Sequence, residues 1–298
     1  MTKLTEILRE KGRLLTTEFL PPKTPKLTPL VDKVLAVASV VDAVSLPELK
    51  ANRTSVPRFR MNPLFAALRL RELTGVETIF HLTPRDYNRN AVAGLLLAAA
   101  ESKLANVLVI GGDRYDAAEE ISLAKNVYDH PGTTNLVKAI RELESEALGA
   151  SRFCIVVGTD PTVVYTDNQD TIDREIEKLL ERQDAGAELA QTQPVFDTRF
   201  FEFLDKARER GLKMPVLVGI LPLRGKSDSA AIERRYGITI PSEVKSLLAK
   251  EGAENGRALI VELASNLVKQ GVRNLHVYPR EDSELVASLG RSIFTLSP

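Results

Sequence analysis

Cysteine occurs once in the 298 residues, histidine three times and tryptophan not at all. The single Cys154 excludes an intrachain disulfide and any multi-cysteine metal or iron–sulfur site within this chain. It lies in the apolar run FCIVV, where a buried core thiol is the expected state. His81, His130 and His276 are scattered without ligand spacing, so no metal site is expected. Charge of one sign is missing too, because 40 basic residues balance 40 acidic ones. With no net field and no Lys/Arg-rich run, nothing favours nucleic acid or an anionic membrane. No apolar stretch approaches the roughly 18 residues of a membrane span, and MTKLTEILREKGR has no apolar signal-peptide core. A cytoplasmic protein is expected.

What is present is alternation. Short β-branched, apolar runs recur at 14–20, 41–46, 77–83, 106–112, 152–159, 187–193, 216–221 and 274–279. Helical periodicity fills the intervals, as in 90–103, 171–186, 198–211 and 256–271. The 171–186 segment opens on an Asp/Thr cluster and stops at Gly186, the punctuation of a helix. Eight β-then-α units with near-continuous apolar strands predict a parallel sheet covered by helices, and eight units close a (β/α)8 TIM barrel. An open doubly wound sheet is the alternative, but the glycine fingerprint after the first strand is missing. No linker divides the chain, so one α/β barrel domain over 1–298 is expected. The extra N-terminal helix, 3–11, would cap the barrel bottom or pack outside it.

In such a barrel the C-terminal strand ends and the loops after them face the active site. Those ends carry Glu18, Ser45, His81, Thr83, Asp113, Thr159, Gln191, Gln193, Pro222, Tyr278 and Arg280. Any one of them could end a strand merely because the chain meets solvent there. Together, on apolar strands, they argue for a large, polar, hydrogen-bonding ligand. Glu18 stands out, an acid in the run TTEFLPPKT just before two prolines. GILPLRGKS (219–227) imitates a phosphate loop, but five residues separate its glycines where the motif has four, and no clear helix is expected after it.

Several of these segments carry a resemblance. TTEFLPPKT, HLTPRDYNRNA (81–91), VIGGDRYD (109–116), AKNVYD (124–129), DAGAELAQTQPVFD (184–197) and GILP (219–222) occur in the order of a known family. The chain resembles, from end to end, the methylenetetrahydrofolate reductase family, in a bacterial branch common among anaerobes. The resemblance implies reduction of 5,10-methylenetetrahydrofolate to 5-methyltetrahydrofolate through a bound flavin, FAD or alternatively FMN, with NAD(P)H or another donor as reductant. It makes Glu18 the general acid and puts Asp113 beside the flavin and pterin. Gln193, Gln191, Tyr278 and Arg280 would bind the folate. Ser45, His81, Thr83, Gly112, Tyr128, Thr159 and Arg182 would line the flavin, with Arg182 on its diphosphate.

There are departures from the family pattern. Asp160 stands where better-known members have a flavin-contacting tyrosine, and Lys178 and Glu181 alter the expected diphosphate site. PRED (279–282) replaces Thr-Leu-Asn-Arg after the last strand. Two further readings stay open: a flavin-independent reductase taking hydride directly from a nicotinamide, and a folate-binding subunit active only with an iron–sulfur electron-transfer partner. A homo-oligomer is compatible with either.

Overall fold

The eight apolar runs form eight parallel strands in the computed structural model, which describes residues 2–51, 58–251 and 256–294. They are β1 (Leu14–Glu18), β2 (Ala43–Leu46), β3 (Glu77–Leu82), β4 (Asn106–Val109), β5 (Cys154–Thr159), β6 (Leu189–Pro194), β7 (Val216–Ile220) and β8 (Asn274–Val277). Each pairs with the next, and β8 closes on β1 from Leu14–Asn274 to Thr17–Val277. The sheet is a closed barrel, and the open alternative is set aside.

The first helices are α1 (Leu4–Lys11), α2 (Thr28–Leu35), α3 (Pro63–Thr74), α4 (Arg89–Glu101), α5 (Ala117–Ser122) and α6 (Gly132–Leu143). Then follow α7 (Gln169–Asp184), α8 (Phe200–Glu209), α9 (Lys226–Tyr236), α10 (Ser242–Glu251), α11 (Gly256–Lys269) and α12 (Ser283–Phe294).

Strand side chains alternate in direction. Leu15, Val44, Phe80, Val107, Ile155, Ala190, Val218 and Leu275 point outward into the core shared with the helices. Leu14, Ala43, Ile79, Leu108, Cys154, Val156, Leu189 and Leu217 point inward and pack with Leu4 and Ile7 of α1. The opening helix therefore plugs the barrel bottom, one of the two placements left open. Leu4 N donates to Asn106 Oδ1 at 2.8 Å, and Asn106 Nδ2 donates to the Thr2 carbonyl at 3.1 Å, so the plug is also hydrogen-bonded. Above this apolar plug the barrel interior turns polar: Thr16, Ser45, His81, Gln191 and His276 are all buried.

The sequence reading erred at some boundaries. β4 stops at Val109, not 112, and the chain turns at Gly112 with a φ of 74°. α7 starts two residues early, capped by Asn168, whose Oδ1 accepts from Thr171 N at 3.2 Å. A helix does follow GILPLRG: α9 begins at Lys226. Its sequence is largely polar, and tertiary contacts hold it rather than periodicity. Ile232, Ile238, Ile240 and Leu248 of the α9–α10 excursion pack with Phe196, Leu221, Leu223 and Tyr278 as a second core beside the barrel mouth.

Candidate active site

Glu18 ends β1 and lies in register with Ser45 of β2. Alternation from Leu14 through Thr16 turns it inward, where its side chain is 16% exposed in the cavity wall. The chain then leaves through Pro21 and Pro22. Their carbonyls accept from Arg60 Nη1 at 2.7 Å and Met61 N at 2.8 Å, which anchors the exit of the strand. Neither proline can donate to a ladder, so the strand ends where the acid is needed.

The cavity, about 640 Å³, opens at the C-terminal mouth. Its floor is polar. Ser45 Oγ lies 2.7 Å from His81 Nε2, and Thr16 Oγ1 lies 2.8 Å from His276 Nδ1. Burial pushes both imidazoles down to about 3, with His81 adding to the effect on His276, so both are neutral at physiological pH. His276 Nε2 stands 4.0 Å from Glu18 Oε2. Gln191 Nε2 donates to Tyr278 Oη at 3.2 Å. Five buried polar atoms in this region, His81 Nδ1, His276 Nε2, Gln191 Oε1, Thr83 Oγ1 and Arg182 Nε, have no hydrogen-bond partner among the described residues. Buried polar atoms are rarely left so, and a polar ligand in the cavity is the simplest way to satisfy those on lining residues, His81 Nδ1, Gln191 Oε1 and Arg182 Nε.

One wall is built from β2 to β4. Gly112 turns with positive φ, which favours glycine, and a Cβ there would stand a tight 3.2 Å from Thr83 Cβ. Asp113 follows it, exposed at the mouth. Arg85, only 1% exposed, pairs with Asp86 and donates through Nη1 to the Asp113 carbonyl at 3.3 Å. Glu48 accepts from Thr83 N at 2.7 Å and from Tyr87 Oη at 2.6 Å, tying the β2 loop to the end of β3. Burial raises the Glu48 carboxyl despite those donors.

The opposite wall joins β5 to α7. Glu175 Oε1 accepts from Thr159 Oγ1 and from Asp160 N, both at 3.1 Å. Arg182 Nη1 donates to the Gly158 carbonyl at 2.6 Å and lies 3.7 Å from Glu175. Burial lowers Arg182 and raises Asp160. Arg280 pairs with Asp228 of α9 and adopts a φ of 51°.

Of the residues expected at the site, Glu18, His81, Gly112, Asp113, Thr159, Arg182, Gln191, Gln193, Tyr278 and Arg280 line the cavity. Ser45, Thr83 and Tyr128 do not. Ser45 sits behind His81, and Thr83 is buried beneath Gly112. Tyr128 braces Gly112 by donating to its carbonyl at 2.8 Å. Glu48, Arg85 and Glu175 line the cavity and were not anticipated; His276 was read as a scattered histidine. The available signals were Arg85–Asp86 directly after the third strand and Glu48 within the loop after the second.

A closed parallel (β/α)8 barrel with a polar cavity at its C-terminal mouth has the architecture of a barrel enzyme. The family follows from comparison: a model of Methylenetetrahydrofolate reductase matches residues 3–292, and the chain belongs to that family. It is 24% identical over 300 residues to the 5,10-methylenetetrahydrofolate reductase of Pectobacterium carotovorum, covering 92% of this chain and 88% of that one. It is 28% identical over 210 residues to Methylenetetrahydrofolate reductase 1 of Schizosaccharomyces pombe, covering 68% of this chain but 33% of that one. The chain thus spans about a third of the fungal relative and 37% of the maize relative. Among solved structures, an uncharacterized protein from Clostridium thermocellum that binds two copies of 5-methyl-5,6,7,8-tetrahydrofolic acid aligns with TM-score 0.67. That alignment has 15% identity and covers 98% of this chain and 100% of that one, so it speaks for the fold alone. No described helix is long and apolar enough to cross a membrane.

Proposed function

We propose that this chain reduces 5,10-methylenetetrahydrofolate to 5-methyltetrahydrofolate by hydride transfer through a bound flavin, with Glu18 as general acid and NAD(P)H as reductant. The observation that carries the reading is the convergence of Glu18, Asp113 and Gln193, from three separate β/α units, on one cavity. The unpartnered floor atom His81 Nδ1 suits a flat heterocycle bearing nitrogen and carbonyl groups, which is the chemistry of a flavin ring. His81, Gly112, Thr159 and Arg182 would hold it. Arg182 keeps Nε for an anionic oxygen, since its Nη1 is engaged with Gly158. A bound flavin would supply reversible storage of a hydride between the nicotinamide and the folate.

The chain's own part is proton delivery and orientation. As general acid, Glu18 gives a proton to the amine nitrogen of the methylene bridge. The carbon–nitrogen bond to that nitrogen breaks, and the bridge carbon becomes an iminium on the remaining nitrogen. Hydride addition to that carbon completes the methyl group. Asp113 and Gln193 orient the pterin, and Arg280 receives the carboxylates of the folate tail.

An absorbance spectrum of the purified protein, followed by anaerobic NADH titration, tests this reading. The expected result is a flavin spectrum that bleaches with NADH and recovers on adding methylenetetrahydrofolate. A colourless protein that takes up no flavin and turns over no folate sinks it. One observation favours a second reading: Asp160 and Glu175 line the cavity beside Arg182, and two carboxylates oppose a diphosphate there. Hydride would then pass directly from a nicotinamide, and turnover would be indifferent to added flavin. A flavoprotein reducible by dithionite but not by NADH would instead indicate an iron–sulfur electron-transfer subunit as donor.

A further inference from the structure

Tyr278 continues the inward alternation of β8 past His276 and meets that ring edge-on, centroids 4.5 Å apart. Its ring fits there because Gly219 leaves room. A Cβ at 219 would stand 2.7 Å from Tyr278 Cε2 and 2.6 Å from the Thr192 carbonyl oxygen. The β6–β7 register shifts between Gln191 and Pro194, and Gly219 N donates to Thr192 Oγ1 at 2.8 Å. At this irregularity Tyr278 Oη donates to the Thr192 carbonyl at 2.9 Å.

A phenol has one proton to give. With that proton on Thr192, Tyr278 Oη can only accept from Gln191, whose Nε2 is 3.2 Å away. Turning the amide over would set two acceptors face to face. Gln191 is therefore held with Oε1 directed away from Tyr278, and that atom is buried without a partner in a residue that lines the cavity.

We infer that Gln191 is a specificity-determining residue whose carbonyl accepts a hydrogen bond from the exocyclic amino group of a reduced pterin, with Tyr278 as the positioning residue that holds the amide. The inference rests on the folate reading above. An exocyclic amino group projects beyond the ring and reaches an acceptor recessed in the floor, whereas a ring N–H lies flush with the ring edge. A ligand that placed a lone pair or a methyl group there would leave the buried carbonyl unsatisfied.

Calorimetric titration with 5-methyltetrahydrofolate, and with its analogue carrying methyl in place of the amino group, tests this. Wild type is expected to bind the parent roughly 10- to 100-fold more tightly. Gln191→Leu should bind both alike, near the analogue's wild-type affinity. Tyr278→Phe should lose part of the discrimination in wild type yet change nothing further in Gln191→Leu, a coupling that loss of packing alone would not give. Equal wild-type affinity for both ligands overturns the inference without need of any variant. Full discrimination surviving in Gln191→Leu also overturns it. No binding of either ligand to wild type overturns the folate reading, and this inference with it.

Discussion

Replacing His276 with asparagine should remove a defined part of the acid sensitivity of this barrel. Burial pushes the His276 imidazole down to about 3, helped by His81, from an ordinary value of 6.5. The folded state keeps the ring neutral, while the unfolded chain takes up a proton as pH falls through the ordinary value. Stability attached to this group is therefore complete above that value and drains away as pH drops toward the folded one. Between pH 7 and pH 5 the linkage integral comes to about 2 kcal/mol for one such ring.

Asparagine retains a polar atom for Thr16 Oγ1, the 2.8 Å partner of His276 Nδ1. It leaves a small cavity whose cost does not vary with pH. In urea unfolding the variant should be less stable than wild type at pH 7, and that deficit should shrink by about 2 kcal/mol at pH 5. A deficit that stays constant across this range would refute the neutral, buried imidazole.

Two other outcomes are open to direct measurement. Asn106→Leu removes the acceptor for Leu4 N and the donor to Thr2, so denaturant midpoints should report a loss of about 1–3 kcal/mol; an unchanged midpoint would mean that α1 does not depend on this plug. Cys154 is buried, and burial pushes its thiol up to about 12, so iodoacetamide at pH 8 should label it only after unfolding. Labelling of the native protein at the unfolded rate would contradict the packed barrel interior.

Much of the barrel was legible because both of its cores are written in alternating apolar residues. Leu14 and Leu15, or Val156 and Val157, point to opposite sides of one strand, so a run apolar at every position signals a strand buried on both faces. The α9–α10 excursion was not legible. Its one buried stripe, Ile232 with Ile238, Ile240 and Leu248, finds its partners in Phe196 and Tyr278, distant in sequence. Glu18, Asp113 and Gln193 could be picked out because a strand end is a predictable place. Glu48 and Arg85 could not, since a buried charge is tolerated only through partners that the fold supplies. For Arg85 these are Asp86 and the Asp113 carbonyl, and for Glu48 they are Thr83 N and Tyr87 Oη. Tyr128 stands one step further from the cavity: it meets the Gly112 turn by donating to that residue's carbonyl.

In the proposed reaction Glu18 protonates the folate while hydride arrives by another route. Anaerobic rapid mixing of wild type and Glu18→Gln measures the two half-reactions separately, first with NADH and then with methylenetetrahydrofolate. Reduction by NADH should survive in the variant while formation of 5-methyltetrahydrofolate falls by about 10²- to 10⁴-fold. Folate reduction by Glu18→Gln at close to the wild-type rate would contradict it.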